Sequence, residues 1–80
     1  MKDRPKHVLS EKSKIINNLL NHREKSILKL VALGNDNRQI GEKLFLSEHT
    51  VKAEISIIFK KMGAQNRTHA TYLAARYNII

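Results

Sequence analysis

Paired start and stop signals for helices constrain the fold of this chain more than any other feature of its sequence. Asn21 and Glu24 have the spacing of a capping box, in which two side chains three positions apart satisfy each other's backbone amides at a helix start. Asp36 and Gln39 repeat that spacing. Gly34 stands where the first of these helices should end, because glycine readily adopts the left-handed conformation of a helix terminus. These signals predict short helices that follow one another closely.

Apolar residues recur at helical spacing between these signals, and no segment shows the sustained alternation of a strand. The sequence therefore predicts an all-α fold with helices over 22–33, 37–45, 48–62 and 67–77. Leu33 is placed on the apolar stripe of the first helix and Phe45 on the inner face of the second. The last two helices are expected to begin after the caps Ser47 and Asn66 and to end before Gly63 and Asn78.

The first residues have a different character. Residues 1–18 form a basic N-terminal arm or linker in which Ser10 has the position of a cap for a short extra helix. Residues 19–80 make up the folded domain. The N-terminus lacks the apolar stretch of a signal peptide, and no apolar run approaches the ~18 residues that would span a membrane. We therefore expect no membrane segment and a cytoplasmic location.

Composition narrows the classes of function. A chain of 80 residues forms one small domain with a thin core and no room for a deep substrate cavity, so we expect neither an enzyme nor a cofactor. It has no cysteine, and its four histidines lie in four different segments, so we expect no metal site. The formal net charge of +8 favours a polyanionic partner, either a nucleic acid or an acidic membrane surface. The membrane alternative is weak because helix 48–62 has no insertion face beyond what the core needs.

Helices 37–45 and 48–62, joined by a short turn, form a helix-turn-helix. Such a unit needs a small residue where its helices approach each other, and Gly41 meets that need. At 100° per residue, Val51 and Ile55 share the inner face of helix 48–62. The outer face is polar and basic and fits the major groove of B-DNA. Its members are Lys52, Ser56, His49, Lys60 and Ala53. Arg38, on the preceding helix, is a candidate for a contact with the DNA backbone.

The stretch from Leu19 to Ile80 resembles the LuxR/FixJ-type (GerE-like, NarL-like) DNA-binding domain of bacterial transcription regulators. The matching text includes Arg-Glu at the first helix, Gly34 followed by Asn37, Ser-x-x-Thr-Val-Lys over 47–52, Lys-Met-Gly over 61–63 and Asn-Arg-Thr over 66–68. The resemblance implies a four-helix effector domain whose third helix enters the major groove. It also implies DNA contacts by Lys52, Ala53 and Ser56, with Thr50 and Val51 near the backbone. Helical geometry instead places Val51 in the core.

Three positions depart from the family pattern. The family usually has histidine where this chain has Glu54, a polar residue where it has Ile57, and alanine where it has Gly41. Glu54 either pairs with Lys61 or Arg38, or it faces phosphate and lowers affinity for DNA. Ile57 lies on the outer flank, where it could touch a thymine methyl group or simply be exposed.

The resemblance further implies a homodimer on DNA with paired half-sites, formed through helix 67–77. The flat, small-residue surface of that helix suits a two-fold contact. Its members are Thr68, Thr71, Tyr72 and Ala75. The sequence thus predicts a sequence-specific double-stranded DNA-binding regulator, either standalone or the output domain of a chain with an N-terminal receiver or sensor domain. The alternative is a protein-interaction module with the same fold that pairs with another regulator and binds DNA weakly.

Overall fold

The structure, a computed structural model, describes residues 11–80 and is all-helical over that range. Its five helices are α1 (Glu11–Leu19), α2 (His22–Ala32), α3 (Asn37–Leu44), α4 (Glu48–Met62) and α5 (Arg67–Arg76). The predicted fold class is confirmed, including the short additional helix at the front. Three predicted helices end one residue earlier than expected, which is within the usual fraying of helix ends. The proposed cap Ser10 lies outside the described residues.

Both predicted capping boxes are present. The amide of Glu24 donates to the Asn21 side chain at 2.8 Å, and the amide of Asn21 donates back to the Glu24 carboxylate at 2.9 Å. Asp36 and Gln39 exchange the same two bonds, each at 2.8 Å. These bonds satisfy amides that have no partner within the helix, so local sequence determines where α2 and α3 begin.

The predicted ends of the helices are also confirmed at the backbone. Gly34 follows α2 with a φ of 94°, and Gly63 follows α4 with a φ of 74°. Asn78, shortly after α5, has a φ of 57°. Positive φ is favourable for glycine and tolerable for asparagine, so these residues turn the chain back over the core.

The core is built around α4, which contacts each of the other four helices. All five helices contribute buried side chains to the core. The largest that are fully enclosed are Ile27, Leu28, Ile40, Val51 and Ile58. α1 closes one end of this core: the Ser13 hydroxyl and the Asn17 amide both donate to the carbonyl of Tyr77, at 2.8 and 3.0 Å. No described helix is long and apolar enough to cross a lipid bilayer.

Two apolar residues expected in the core are at the surface. Phe45 is 93% exposed, because α3 ends at Leu44 and Phe45 takes up a left-handed conformation with φ of 60°. The helical periodicity that placed it inward therefore stops one residue before it. Leu33 is 69% exposed, since it lies about 200° around the helix axis from the buried Val31. Its assignment to the apolar stripe was wrong on angular grounds.

Candidate nucleic-acid interface

The turn between α3 and α4 is tight, and Gly41 makes it possible. The amide of Leu46 donates to the carbonyl of Gly41 at 2.8 Å, which folds the chain back on α3. A Cβ atom at position 41 would lie 2.5 Å from the carbonyl oxygen of Leu46. The small residue is therefore required by the backbone of the turn itself, whereas the sequence had suggested a requirement at the crossing of two helices.

The N-terminus of α4 is capped and lies at the surface. The amide of Thr50 donates to the Ser47 hydroxyl at 3.0 Å, and that hydroxyl donates to the Thr50 side chain at 2.9 Å. Ser47, Glu48 and His49 are exposed, while Thr50 is half-buried. The first turn of α4 thus directs the positive end of its helix dipole toward solvent, where an anion can approach it.

The outer face of α4 is exposed along its length, as its helical angles predict. We call it the outer strip, defined by the five exposed side chains His49, Lys52, Ala53, Ser56 and Lys60. The opposite face is buried, with Val51 and Ile58 both at 0% exposure. For Val51 the structure agrees with helical geometry and disagrees with the position near DNA that the resemblance implied. Contact between the strip and DNA stays a prediction.

Arg38 also lies at the surface, on α3. Its Nε atom is 3.5 Å from a carboxylate oxygen of Glu42, one helical turn away, and both side chains are largely exposed. Exposed pairs of this kind are worth little, so Arg38 can exchange Glu42 for a phosphate at small cost.

The predicted partners of Glu54 were wrong. The side chain of Glu54 pairs with Arg23 in the first turn of α2: Nε of Arg23 donates at 3.0 Å, and Nη2 donates to the second carboxylate oxygen. Lys61, one of the expected partners, instead donates to Glu24 at 2.8 and 3.1 Å. The reason is tertiary: α2 packs along α4, and the periodicity of a single helix does not reveal which neighbour covers its flank.

Glu24 is a buried carboxylate with two kinds of partner. Burial alone would raise the pKa of Glu24, but the hydrogen bonds from Lys61 and from the Asn21 amide outweigh it. The Coulomb attraction of Lys61 acts in the same direction, and the pKa of Glu24 lies below its ordinary value of 4.5. Glu24 therefore joins the start of α2 to the end of α4 as a charged group.

Arg67 has a structural role that the sequence analysis missed. Its guanidinium donates to the Asn37 side chain at 2.9 Å and to the carbonyl of Asn35 at 2.7 Å. The start of α5 is thereby fixed to the loop between α2 and α3. No local pattern in the sequence signals this contact, because Asn37 and Arg67 lie 30 positions apart.

The residues predicted for dimerisation lie on the outside of α5. Thr68, Tyr72 and Ala75 are exposed, and Thr71 is half-buried with its hydroxyl donating to the Arg67 carbonyl at 2.9 Å. Three of the four line an open groove of about 560 Å³ between α5, the end of α2 and the loop that follows it. No residue of α4 lines this groove, so the outer strip and the predicted dimerisation surface are separate.

Comparison with known proteins identifies the family. The family described as bacterial regulatory proteins, luxR family, matches residues 18–74, which is more than half of the chain. This chain therefore belongs to the luxR family of bacterial regulatory proteins.

The similar proteins are named as transcriptional regulators. The chain is 48% identical over 52 residues to the probable csgAB operon transcriptional regulatory protein of Salmonella typhimurium, which covers 65% of this chain and 24% of that protein. It is 41% identical over 61 residues to the transcriptional regulatory protein LiaR of Bacillus subtilis, covering 76% of this chain and 29% of LiaR. It is 46% identical over 52 residues to the transcriptional regulatory protein DegU of Brevibacillus brevis, covering 65% of this chain and 22% of DegU. The chain spans about a quarter of the length of these relatives.

Proposed function

We propose that this chain is a sequence-specific double-stranded DNA-binding domain of a bacterial transcription regulator, with α4 in the major groove. The observation that carries the proposal is the outer strip: a continuous exposed polar and basic face on a helix whose opposite face is fully packed. Such a helix has the dimensions of the major groove. The family and the names of the relatives support the same function.

In this proposal, each residue of the interface contacts the part of DNA that suits its side chain. Lys52 reads a base edge or holds a phosphate close to the dipole end of α4, and Ser56 and His49 offer hydrogen bonds to base edges. Ala53 allows the backbone of α4 to approach the groove floor. Lys60 on α4 and Arg38 on α3 neutralise phosphates on either side, Thr50 lies near the backbone, and the net charge of +8 attracts DNA of any sequence.

We further propose that two copies bind paired half-sites through α5, which would place the two α4 helices about 34 Å apart. The support is the exposed surface at that end of the molecule. Tyr72 is 58% exposed on α5, and Leu33, at the end of α2, is 69% exposed. Apolar side chains of this size gain stability when a second copy covers them.

The test is a selection of bound duplexes from a random pool, followed by titration of the selected duplex. The selected sequences are expected to contain two related half-sites about one DNA turn apart. Lys52→Ala is expected to weaken binding by about 1–3 kcal/mol if it reads a base. Lys29→Ala is the matched control, because Lys29 is an exposed lysine on α2 outside the outer strip. With about six phosphate contacts, the slope of log K against log salt concentration should be near −5.

The alternative function, a protein-interaction module that binds DNA weakly, predicts a different outcome. It was suggested by Glu54 and Ile57 on the recognition helix. The pairing of Glu54 with Arg23 weakens that argument, because the carboxylate has an internal partner. No binding of random duplexes at about 50 mM salt, where electrostatic attraction is strong, would contradict DNA binding and favour the alternative.

A further inference from the structure

We propose that Arg23 is a positioning residue for DNA binding: by pairing with Glu54, it keeps the negative charge of that side chain away from the phosphates next to the outer strip. This inference rests on the proposed function. It concerns Glu54, an acidic side chain in the middle of the helix that is proposed to enter the groove. The other acidic residue of α4, Glu48, lies exposed in its first turn.

The pair joins two helices and uses one edge of the guanidinium. Nε and Nη2 of Arg23 each donate to a different oxygen of the Glu54 carboxylate. Both carboxylate oxygens are engaged, and the Glu54 side chain is 25% exposed, against 51% for Arg23. The arginine therefore engages both oxygens of the carboxylate, and its third guanidinium nitrogen, Nη1, takes no part in the pair.

Position makes the charge of Glu54 relevant to DNA. Glu54 follows Ala53 directly, so it lies about 100° around α4 from the nearest member of the outer strip. All side chains of one helix lie within a diameter of about 10–12 Å, which is close to the Debye length of about 10 Å at 0.1 M salt. Phosphates that contact the outer strip would therefore be repelled by an unpaired Glu54.

Neither of the two cations that the sequence suggested as partners of Glu54 pairs with it in the structure. Lys61 lies on the same flank of α4, but its ammonium group is held by both carboxylate oxygens of Glu24. Arg38 pairs with Glu42 on its own helix. Arg23 is placed for the role by its position in the first turn of α2, which lies beside the turn between α3 and α4. There it lines a small groove of about 210 Å³ with Ser26, Leu44 and Leu46.

The experiment is a double-mutant cycle on the whole chain with Arg23→Gln, Glu54→Gln and the combination. The probe is a random-sequence DNA duplex of about two helical turns at about 50 mM salt, because masking acts on phosphates of any sequence. We expect Arg23→Gln to weaken binding about fivefold to tenfold when Glu54 is present, and only about twofold in the Glu54→Gln background. Glu54→Gln alone should bind as well as the unaltered protein or better.

Two further variants separate masking from a general loss of charge. Lys29→Gln removes one exposed cation from the same helix and is expected to weaken binding about twofold in either background. Arg23→Lys keeps the charge and should retain most of the affinity. The coupling between positions 23 and 54 should decrease as salt is raised, which a purely structural role would not produce. All variants should remain helical by circular dichroism, because an exposed ion pair contributes little to stability.

The outcomes distinguish this inference from the proposed function. Equal weakening by Arg23→Gln in both backgrounds would mean that Arg23 acts on phosphate independently of Glu54 and would overturn masking. In that case, binding by the unaltered protein and its weakening in Lys52→Ala would leave the proposed function in place. No duplex binding by the unaltered protein would overturn both.

Discussion

The two faces of α4 belong to one helix, yet one face packs in the core and the other is exposed to solvent. On the packed face, Ile55 and Ile58 are 6% and 0% exposed and contact the other helices. On the outer strip, Lys52, Ala53 and Ser56 are exposed. Solvent exposure therefore differs sharply between sequence neighbours: Ile57 is 50% exposed, whereas Ile58 is fully buried. The difference teaches that stability and DNA binding should respond to separate sets of substitutions in this helix.

The sharpest test of that separation compares Ile58→Ala with Ile57→Ala. Ile58 is completely enclosed, so truncating it leaves a cavity, and the free energy of unfolding should fall by about 3 kcal/mol. Ile57 is 50% exposed, so the same change should cost less than about 1 kcal/mol. Urea denaturation followed by circular dichroism measures both. Equal losses for the two variants would show that the faces of α4 are not divided as described.

The packed side extends to the turn before α4, and Gly41→Val tests it. A Cβ at position 41 would lie 2.5 Å from the Leu46 carbonyl oxygen, a backbone atom that cannot move without shifting the turn. We expect a loss of about 2 kcal/mol in the free energy of unfolding. Lys43→Val is the matched control, because it adds the same side chain at an exposed position of α3. It should cost about 0.5 kcal/mol through helix propensity alone.

A displaced turn would also change the angle of α4. Gly41→Val should therefore weaken DNA binding even at a temperature where Gly41→Val and Lys43→Val are both fully folded. Unchanged affinity in a folded Gly41→Val protein would contradict the role of this turn in orienting the outer strip.

Local signals predicted the helices because they act within a few residues. The capping boxes at Asn21 and Asp36 and the left-handed Gly34 and Gly63 depend on backbone groups of their own segment, and all four were predicted. The division of α4 into two faces followed from the 100° step of a helix. These features can be derived from a sequence without knowing which helices are neighbours.

Contacts between helices were predicted less well, since periodicity gives a face but not its partner. The pair of Glu54 with Arg23 and the two bonds from Arg67 to Asn35 and Asn37 both join residues about 30 positions apart. The exposure of Phe45 depended on a single left-handed residue at the end of α3, a conformation that phenylalanine rarely adopts. The outer strip was identifiable from the sequence, whereas the charge pairing beside it was not.

The smallest expected effect concerns the ion pair that attaches the packed side of α4 to α2, and it depends on pH. Because the pKa of Glu24 is lowered in the folded state, the unfolded chain takes up a proton first as pH falls through the ordinary value of 4.5. The contribution of this carboxylate is thus fully present above pH 4.5 and is lost as pH falls through the lower pKa of the folded state.

Glu24→Gln keeps an oxygen that accepts from the Asn21 amide but removes the charge that holds Lys61. The free energy of unfolding should fall by about 1 kcal/mol at neutral pH. This difference from the unaltered protein, measured at neutral pH and again at a pH well below 4.5, should shrink as Glu24 itself becomes protonated. Glu42→Gln, which alters only the exposed pair with Arg38, should show a difference under about 0.5 kcal/mol at both pH values. A Glu24→Gln difference that stays constant between those pH values would mean that packing, and not charge, links α2 to α4. The pair of Glu24 with Lys61 would then contribute through packing, like the buried face of α4. Of the two ion pairs between α2 and α4, Arg23 with Glu54 would remain as the electrostatic one.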